Sequence, residues 1–364
     1  MKTLTVELKQ HTPLIHFQHS QQGATLRASE VKPKLDRFIL TKLGNGNYQK
    51  GIDAAKNNGW LVGKGEHPAL DYKMRIRTDE SKRINLSLRE KKTIQNKFTT
   101  EDFPLLLSNM GGRDSKEELV NFSMYEYIYW DILTTNGNID LYNKLKDYIP
   151  YFVANTNFGQ RSSKGFGSFT AESIIENDNI EDKIEIDIFD EDADYIKGNT
   201  YFLDFSINGK DIYSINGQKI LFKIIESFWS NLRKAIKDDY KIKCRNIEST
   251  ESFIKAMKFV NPDDNDVQRI PAPIMFKPVS YYDDDNNVRF SVYIMMDNNV
   301  IPKLKEQYSG NTLLSTGNTL DATRINSMKY VIKYIKEKLE HHKYKNWKVK
   351  VAKDTFINVK FYIQ

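Results

Sequence analysis

The segment Phe158-Gly159-Gln160-Arg161-Ser162-Ser163-Lys164-Gly165-Phe166-Gly167-Ser168-Phe169 packs three glycines, two cations and three serine hydroxyls into twelve residues. Glycines tolerate positive φ and let backbone N–H groups approach an anion closely, while Arg161 and Lys164 supply positive charge. That combination suits a phosphate or another polyanion. Two better-known phosphate loops fail on spacing. No Gly-Lys-Ser/Thr follows at the interval of a Walker loop. The segment also leads into a strand instead of opening a helix, which excludes a dinucleotide fingerprint. A tight turn needing positive φ accounts for Gly165 and Gly167 but not for the flanking cations, so both readings stand at this point.

Charge is unevenly divided around that loop. The chain holds 54 Lys+Arg against 48 Asp+Glu, a formal net charge of +6 over 364 residues. Residues 1–175 carry 25 basic and 19 acidic side chains, residues 176–200 carry 2 and 10, and residues 201–364 carry 27 and 19. Two basic halves therefore flank an acidic strap running from Glu176 to Asp194. Clustered Lys and Arg gain by displacing counterions from phosphates, so the halves permit a polyanionic partner, as they also permit a plain solubility excess. The length predicts two domains, 1–175 and 201–364, with 176–200 as an acidic connector. A hydrophobic share of 40% beside 28% charged residues describes a globular chain. No apolar run approaches the ~20 residues of a membrane span, and the alternating start lacks a secretory core, so no membrane partner is expected. The single cysteine, Cys244, excludes an internal disulfide framework and a multi-cysteine zinc site, and points to a reducing, cytoplasmic location.

The elements that must position the loop follow from periodicity. Leu4, Val6 and Leu8 predict a strand over Thr3–Lys9. Ser29 reads as a helix cap with Pro33 in the first turn and Val31, Leu35, Phe38 and Ile39 on one face. A Gly/Asn-rich loop is expected through Gly44–Gly65. Tyr72–Thr78 alternates apolar and basic residues, and Ile84, Leu86 and Leu88 read as its hairpin partner. Val120–Ile132 reads as one long strand, and Ile139, Tyr142, Leu145, Ile149 and Phe152 recur at helical spacing. Phe169–Ile175 closes a βαββαβ order. The second half repeats it: strand Tyr201–Ile207, helix Ile220–Ile236, a hairpin of Ile274–Val279 and Val288–Met296, a helix through Ile325–Leu339, and strands at Trp347–Val351 and Ile357–Ile363. The fold class is α+β, two tandem ferredoxin-like domains with insertions, the longest at Lys91–Glu118.

On these residues a family resemblance can be stated. Arg161–Phe169 resembles the glycine-rich loop of the RAMP superfamily of CRISPR-associated proteins, which lies between the last helix and last strand of a ferredoxin-like domain. Thr12-Pro13-Leu14, then Leu26-Arg27-Ala28-Ser29-Glu30-Val31-Lys32 and Arg37, looks like the superfamily's opening strand-loop-helix. The Arg-Ser-Ser-Lys-Gly-Phe-Gly-Ser wording looks most like the first RAMP subunit of type III-B (Cmr) effector complexes, and Ile270-Pro271-Ala272-Pro273-Ile274 resembles a motif in the second half of that subunit. The resemblance implies a non-catalytic subunit in antiviral defence that meets the backbone of CRISPR RNA and target RNA near the guide's 3′ end. It implies the other Cmr subunits as partners. Carried over residue by residue, Arg27, Lys32 and Arg37 would meet phosphates from the helix, and Arg161, Lys164, Gly165 and Gly167 from the loop. Sequence specificity would come from guide pairing. No cofactor or metal is implied.

One alternative is a metal-independent endoribonuclease of the same superfamily that processes the CRISPR RNA precursor. Such cleavage needs a base for the 2′-hydroxyl and an acid for the leaving 5′-oxygen, a task suited to histidine. His11, His16 and His19 cluster after the first strand, with His16 and His19 as the alternative catalytic pair. His16 stands in an apolar setting, Leu14-Ile15-His16-Phe17, where a packed histidine is the commoner outcome. Asp283, Asp284 and Asp285 beside Asn286-Asn287 read as a solvated hairpin turn rather than a polymerase site.

Overall fold

The computed structural model describes residues 2–15, 25–63, 68–79, 83–88, 120–135, 138–190, 192–193, 195–196, 201–207, 212–243, 257–260, 267–270, 274–296, 313–314, 337, 347–352 and 355–363. The chain begins with β1 (Lys2–Gln10), α1 (Ala28–Leu43) and α2 (Tyr48–Asn57), followed by β2 (Tyr72–Thr78) and β3 (Tyr127–Thr134). Helix α3 (Ile139–Ala154), β4 (Phe169–Glu176) and β5 (Lys183–Glu185) complete the first sheet, ordered β2-β3-β1-β4-β5 and antiparallel throughout. Leu4, Val6 and Leu8 share one face of β1 and meet Leu35 and Ile39 of α1, Trp130 of β3, and Leu145 and Ile149 of α3 in one buried cluster. The expected strands β1, β2 and β4 and helices α1 and α3 are present, with α2 and β5 added.

The second sheet repeats the arrangement. β6 (Tyr201–Ile207), α4 (Ile215–Lys243), β7 (Ile274–Tyr282), β8 (Val288–Met296), β9 (Trp347–Ala352) and β10 (Thr355–Ile363) follow in sequence. Their sheet order is β7-β8-β6-β10-β9. Leu203, Phe205, Phe276, Phe290 and Val359 bury one face against Phe222, Ile225 and Phe228 of α4. The helix expected through 325–339 lies outside the described residues, save Glu337, which is helical. The 91–118 insertion also lies outside them, as do residues 271–273 of the proline motif. Among the described residues no helix is long and apolar enough to cross a membrane.

Several expectations change. The Gly44–Gly65 stretch is not all loop. Asn47 caps α2 by accepting from the Lys50 N–H at 3.0 Å, and Tyr48 and Ile52 pack on the core. Ser29 does not cap α1, because the Arg27 carbonyl already accepts from Glu30 and Val31 and the helix starts before it. Arg83–Leu88 pairs with Val120–Tyr125 instead of β2, whose inner edge belongs to β3. The long strand is broken at Glu126, sending Met124 to the core of the second half and Ile128 and Trp130 to that of the first. The acidic strap is more than a connector. Lys183–Glu185 adds β5 to the first sheet, and Ile188, Tyr195 and Ile196 pack with Val279, Tyr293 and Met295 of the second.

The two sheets meet along β7. Lys277 is fully buried, and its ammonium donates to the carbonyls of Val153 (2.8 Å), Thr156 (2.9 Å) and Phe169 (2.6 Å). Burial pushes its pKa well down, while three carbonyl acceptors, two of them at the C-terminal end of α3, favour the charged form. Beside it the Asn157 amide donates to Phe276 O at 2.7 Å, and the Ser168 hydroxyl to Pro278 O at 2.6 Å. His11 crosses the same seam. Its Nδ1 accepts from the Ser280 N–H at 3.0 Å, so the proton sits on Nε2, 2.8 Å from the Thr170 hydroxyl, which donates onward to Glu172 at 2.8 Å.

Two outcomes follow from this seam. Lys277→Met fills the same space but removes a charged donor from three carbonyls, so it lowers stability by about 3 kcal/mol in denaturant unfolding; an unchanged midpoint would show that the seam does not depend on the ammonium. His11 has its pKa held well below the ordinary value, first by burial and then by Lys9 and Lys277. The unfolded chain therefore binds the proton more readily, and stability falls as pH drops below about 6.5. Unfolding of wild type and His11→Gln across that range checks this, because the variant loses the pH-dependent part.

Candidate nucleic-acid interface

The glycine-rich segment forms a short 3₁₀ turn, Ser162–Lys164, between Arg161 at φ 54° and Gly165 at φ 94°. It is sewn to the stretch that follows β1. Ser168 O accepts from His11 N (2.9 Å), Pro13 O from Gly167 N (2.9 Å) and Ile15 O from Gln160 N (2.7 Å). The Thr12 hydroxyl donates to Gly165 O at 2.7 Å and accepts from the Ser168 N–H at 2.9 Å. On the other side, Glu30 of α1 accepts from the Gly159 N–H at 2.8 Å and from Lys34 at 2.9 Å. The two stretches that carried the family resemblance thus converge at one end of the first sheet.

Both glycines of the tight turn are buried. The Gly165 N–H donates to Ser162 O and that of Gly167 to Pro13 O, so both amides are used within the fold. Their lack of a side chain serves packing. A Cβ on Gly167 would lie 2.0 Å from Phe158 O, and one on Gly165 3.0 Å from Pro278 Cγ, each at a left-handed φ. Between them Phe166 stacks on Phe222 of α4 at 3.9 Å and 13°. The tip of the loop is a plug in the second half, which corrects the picture of an open glycine cradle.

The predicted cations fare differently. Arg161 is half-buried, and burial alone depresses its pKa. Among the described residues its guanidinium has neither a hydrogen-bond nor an ion-pair partner. Lys164 lies over the Trp229 ring, 3.9 Å from its centroid. Arg27, exposed, occupies the position before α1. Arg37 is exposed on α1 with its guanidinium 5.6 Å from the Tyr48 ring centre. Lys32 turns inward instead. Its ammonium reaches Asp36 (2.8 Å) and Leu70 O (3.0 Å) and lies 4.0 Å from the Tyr72 ring centre, a set that uses its charge within the fold. Arg77 is likewise committed to Asp131 at 2.5 Å.

Of the three histidines only His11 lies among the described residues, and His16 and His19 lie outside them. His11 is buried, its ring nitrogens occupied. Among the described residues no group of three or more His, Cys, Asp or Glu could hold a metal. The Asp283–Asn287 segment is the expected hairpin turn, with Asp283 accepting from the Asn287 N–H at 2.8 Å. Lys277, Ser280 and Trp229 escaped sequence reasoning. The one available signal was Lys277 itself, a lone charge on the strand face that holds Met275 and Val279.

Comparison with known proteins adds three findings. A search of curated proteins returns no match. Among solved structures, the chain is similar to Cmr1 from Pyrococcus furiosus in its apo form, at 13% identity and TM-score 0.45, covering 82% of this chain and 89% of that one. It is similar to a chain of the type III-B Cmr-beta complex bound to cognate target RNA, at 13% identity and TM-score 0.42, covering 92% and 99%. Residues 1–236 match the family model of the Cmr1 N-terminal domain, and on that match the chain belongs to this family.

Proposed function

We propose that this chain is a non-catalytic, RNA-binding subunit of a cytoplasmic type III-B (Cmr) effector complex, meeting guide and target RNA backbone near the guide's 3′ end and assembling with the other Cmr subunits. The units 1–175 and 201–364, with 176–200 between them, are its working domains. Family membership supports the setting. The observation that carries RNA contact is Arg161, a half-buried guanidinium left unpaired among the described residues at the head of a turn. Withdrawing a cation from water without an anion costs free energy, and a phosphate oxygen would supply the missing partner. Arg27, at the head of α1, and Arg37, further along it beside Tyr48, are exposed on the helix side. Lys164, set on Trp229, adds positive charge to the same turn, whereas Gly165 and Gly167 shape the turn and leave RNA to their neighbours. Lys32 then orders α1 against β2 and touches no RNA.

Arg27→Ala with Arg161→Asn tests this, asparagine being tolerant of a left-handed φ. Binding of single-stranded RNA weakens, and the slope of log K against log salt falls by about 1.4, or about 0.7 for each phosphate no longer neutralised. An unchanged slope in a variant that melts like wild type would remove the loop from the interface.

A further inference from the structure

The second sheet has a face turned away from α4 on which aromatic rings and lysines alternate. Ile357, Val359 and Phe361 of β10 pack toward α4, so strand periodicity turns Phe356, Asn358, Lys360 and Tyr362 the other way. Register places Phe356 opposite Lys350 and Asn358 opposite Lys348 on β9, and Tyr362 opposite Phe202 on β6. Phe356 is 58% exposed and Tyr362 38%. Lys348, Lys350 and Lys360 are exposed as well. The Tyr362 ring lies flat against Phe202 at 4.8 Å and 15°, which braces it, and Lys350 lies 5.8 Å from the centre of the Phe356 ring. Among the described residues no carboxylate pairs with any of the three lysines. The acid opposite Lys360 in register, Asp204, is taken by Arg289 and Tyr281.

An outer strand such as β9 gains protection from lysine, since charge discourages a second edge from pairing. Protection gives no reason for a phenylalanine and a tyrosine in the open beside those lysines. Bases have faces that stack on aromatic rings, and the phosphates between bases seek cations. We propose that this face binds a single-stranded polynucleotide, with Phe356 and Tyr362 stacking on bases and Lys348, Lys350 and Lys360 meeting the phosphates between them. The rings stand six residues apart on one strand, roughly 20 Å, which leaves the backbone to cross the lysines from one to the other. Duplex is excluded, because its base faces are already stacked. The face shares its class of partner with the RNA-binding reading above, and none of its residues.

The test titrates the full chain with a short single-stranded RNA carrying 2-aminopurine, with the matching DNA strand and a duplex in parallel. Stacking quenches the fluorophore on both single strands, and the duplex binds more weakly. Phe356→Ala with Tyr362→Ala loses the quenching and about thirtyfold or more in affinity, while Lys348→Gln, Lys350→Gln and Lys360→Gln together lower the salt slope by about 2 and keep the quenching at saturation. Quenching and affinity unchanged in the aromatic variant overturn the proposal. The Arg27→Ala, Arg161→Asn variant in the same titration separates the two surfaces. If it alone abolishes binding, the sheet face fails; if the aromatic variant alone does so, the loop fails.

Discussion

The Lys277 ammonium and its three carbonyls fix the geometry on which the rest depends. Val153 and Thr156 lie at the end of α3, and Phe169 begins β4. The loop that carries Arg161 runs between those points. One buried charge therefore clamps both ends of the glycine-rich segment onto β7 of the other sheet. A lone buried ammonium is costly, yet all three of its protons are satisfied here, and the C-terminal end of a helix is where a cation is best placed.

That clamp explains why the loop's glycines are used inward. With Phe166 stacked on Phe222 and Gly165 against Pro278 and Ile225, the loop's far side is part of the joint between the halves. Its near side, from Gly159 to Lys164, retains partial exposure, and Gly159 meets Glu30 of α1. Turn chemistry and charge were competing explanations of one sequence motif. The structure divides it: the glycines serve the turn, and Arg161 keeps its charge unspent.

Local periodicity made the sheets legible, since β1, β6 and both hairpin strands of the second half need only alternation along the chain. What stayed hidden depends on contacts between segments far apart. Glu126 interrupts a pattern that reads as continuous because Met124 and Ile128 serve different cores. Tyr48–Asn57 looked like loop because its glycine and asparagines outweigh a cap and a narrow apolar face. The inward turn of Lys32 could not be read from a helix whose other cations are exposed, because Asp36 and Leu70 decide it. Family resemblance pointed to the loop and to α1, but it could not say which of their groups the fold had already consumed.

Acidic charge is placed with the same economy. The strap of residues 176–200 departs along the outer edge of the first sheet, where Lys183 joins Glu7 and Glu185. It then lays Ile188, Tyr195 and Ile196 over Val279, Tyr293 and Met295. These last three belong to β7 and β8, on the same sheet face as Phe202 and Tyr362. Half of that face is thus covered by the strap, and the half formed by β10 and β9 is left open with its lysines and rings. Covering the apolar half with an acidic segment removes a sticky surface, and it sets negative charge beside the basic half. The divided charge of the chain, basic on either side of an acidic strap, thus carries through to this sheet face, with the strap over β7 and β8 and the lysines on β10 and β9.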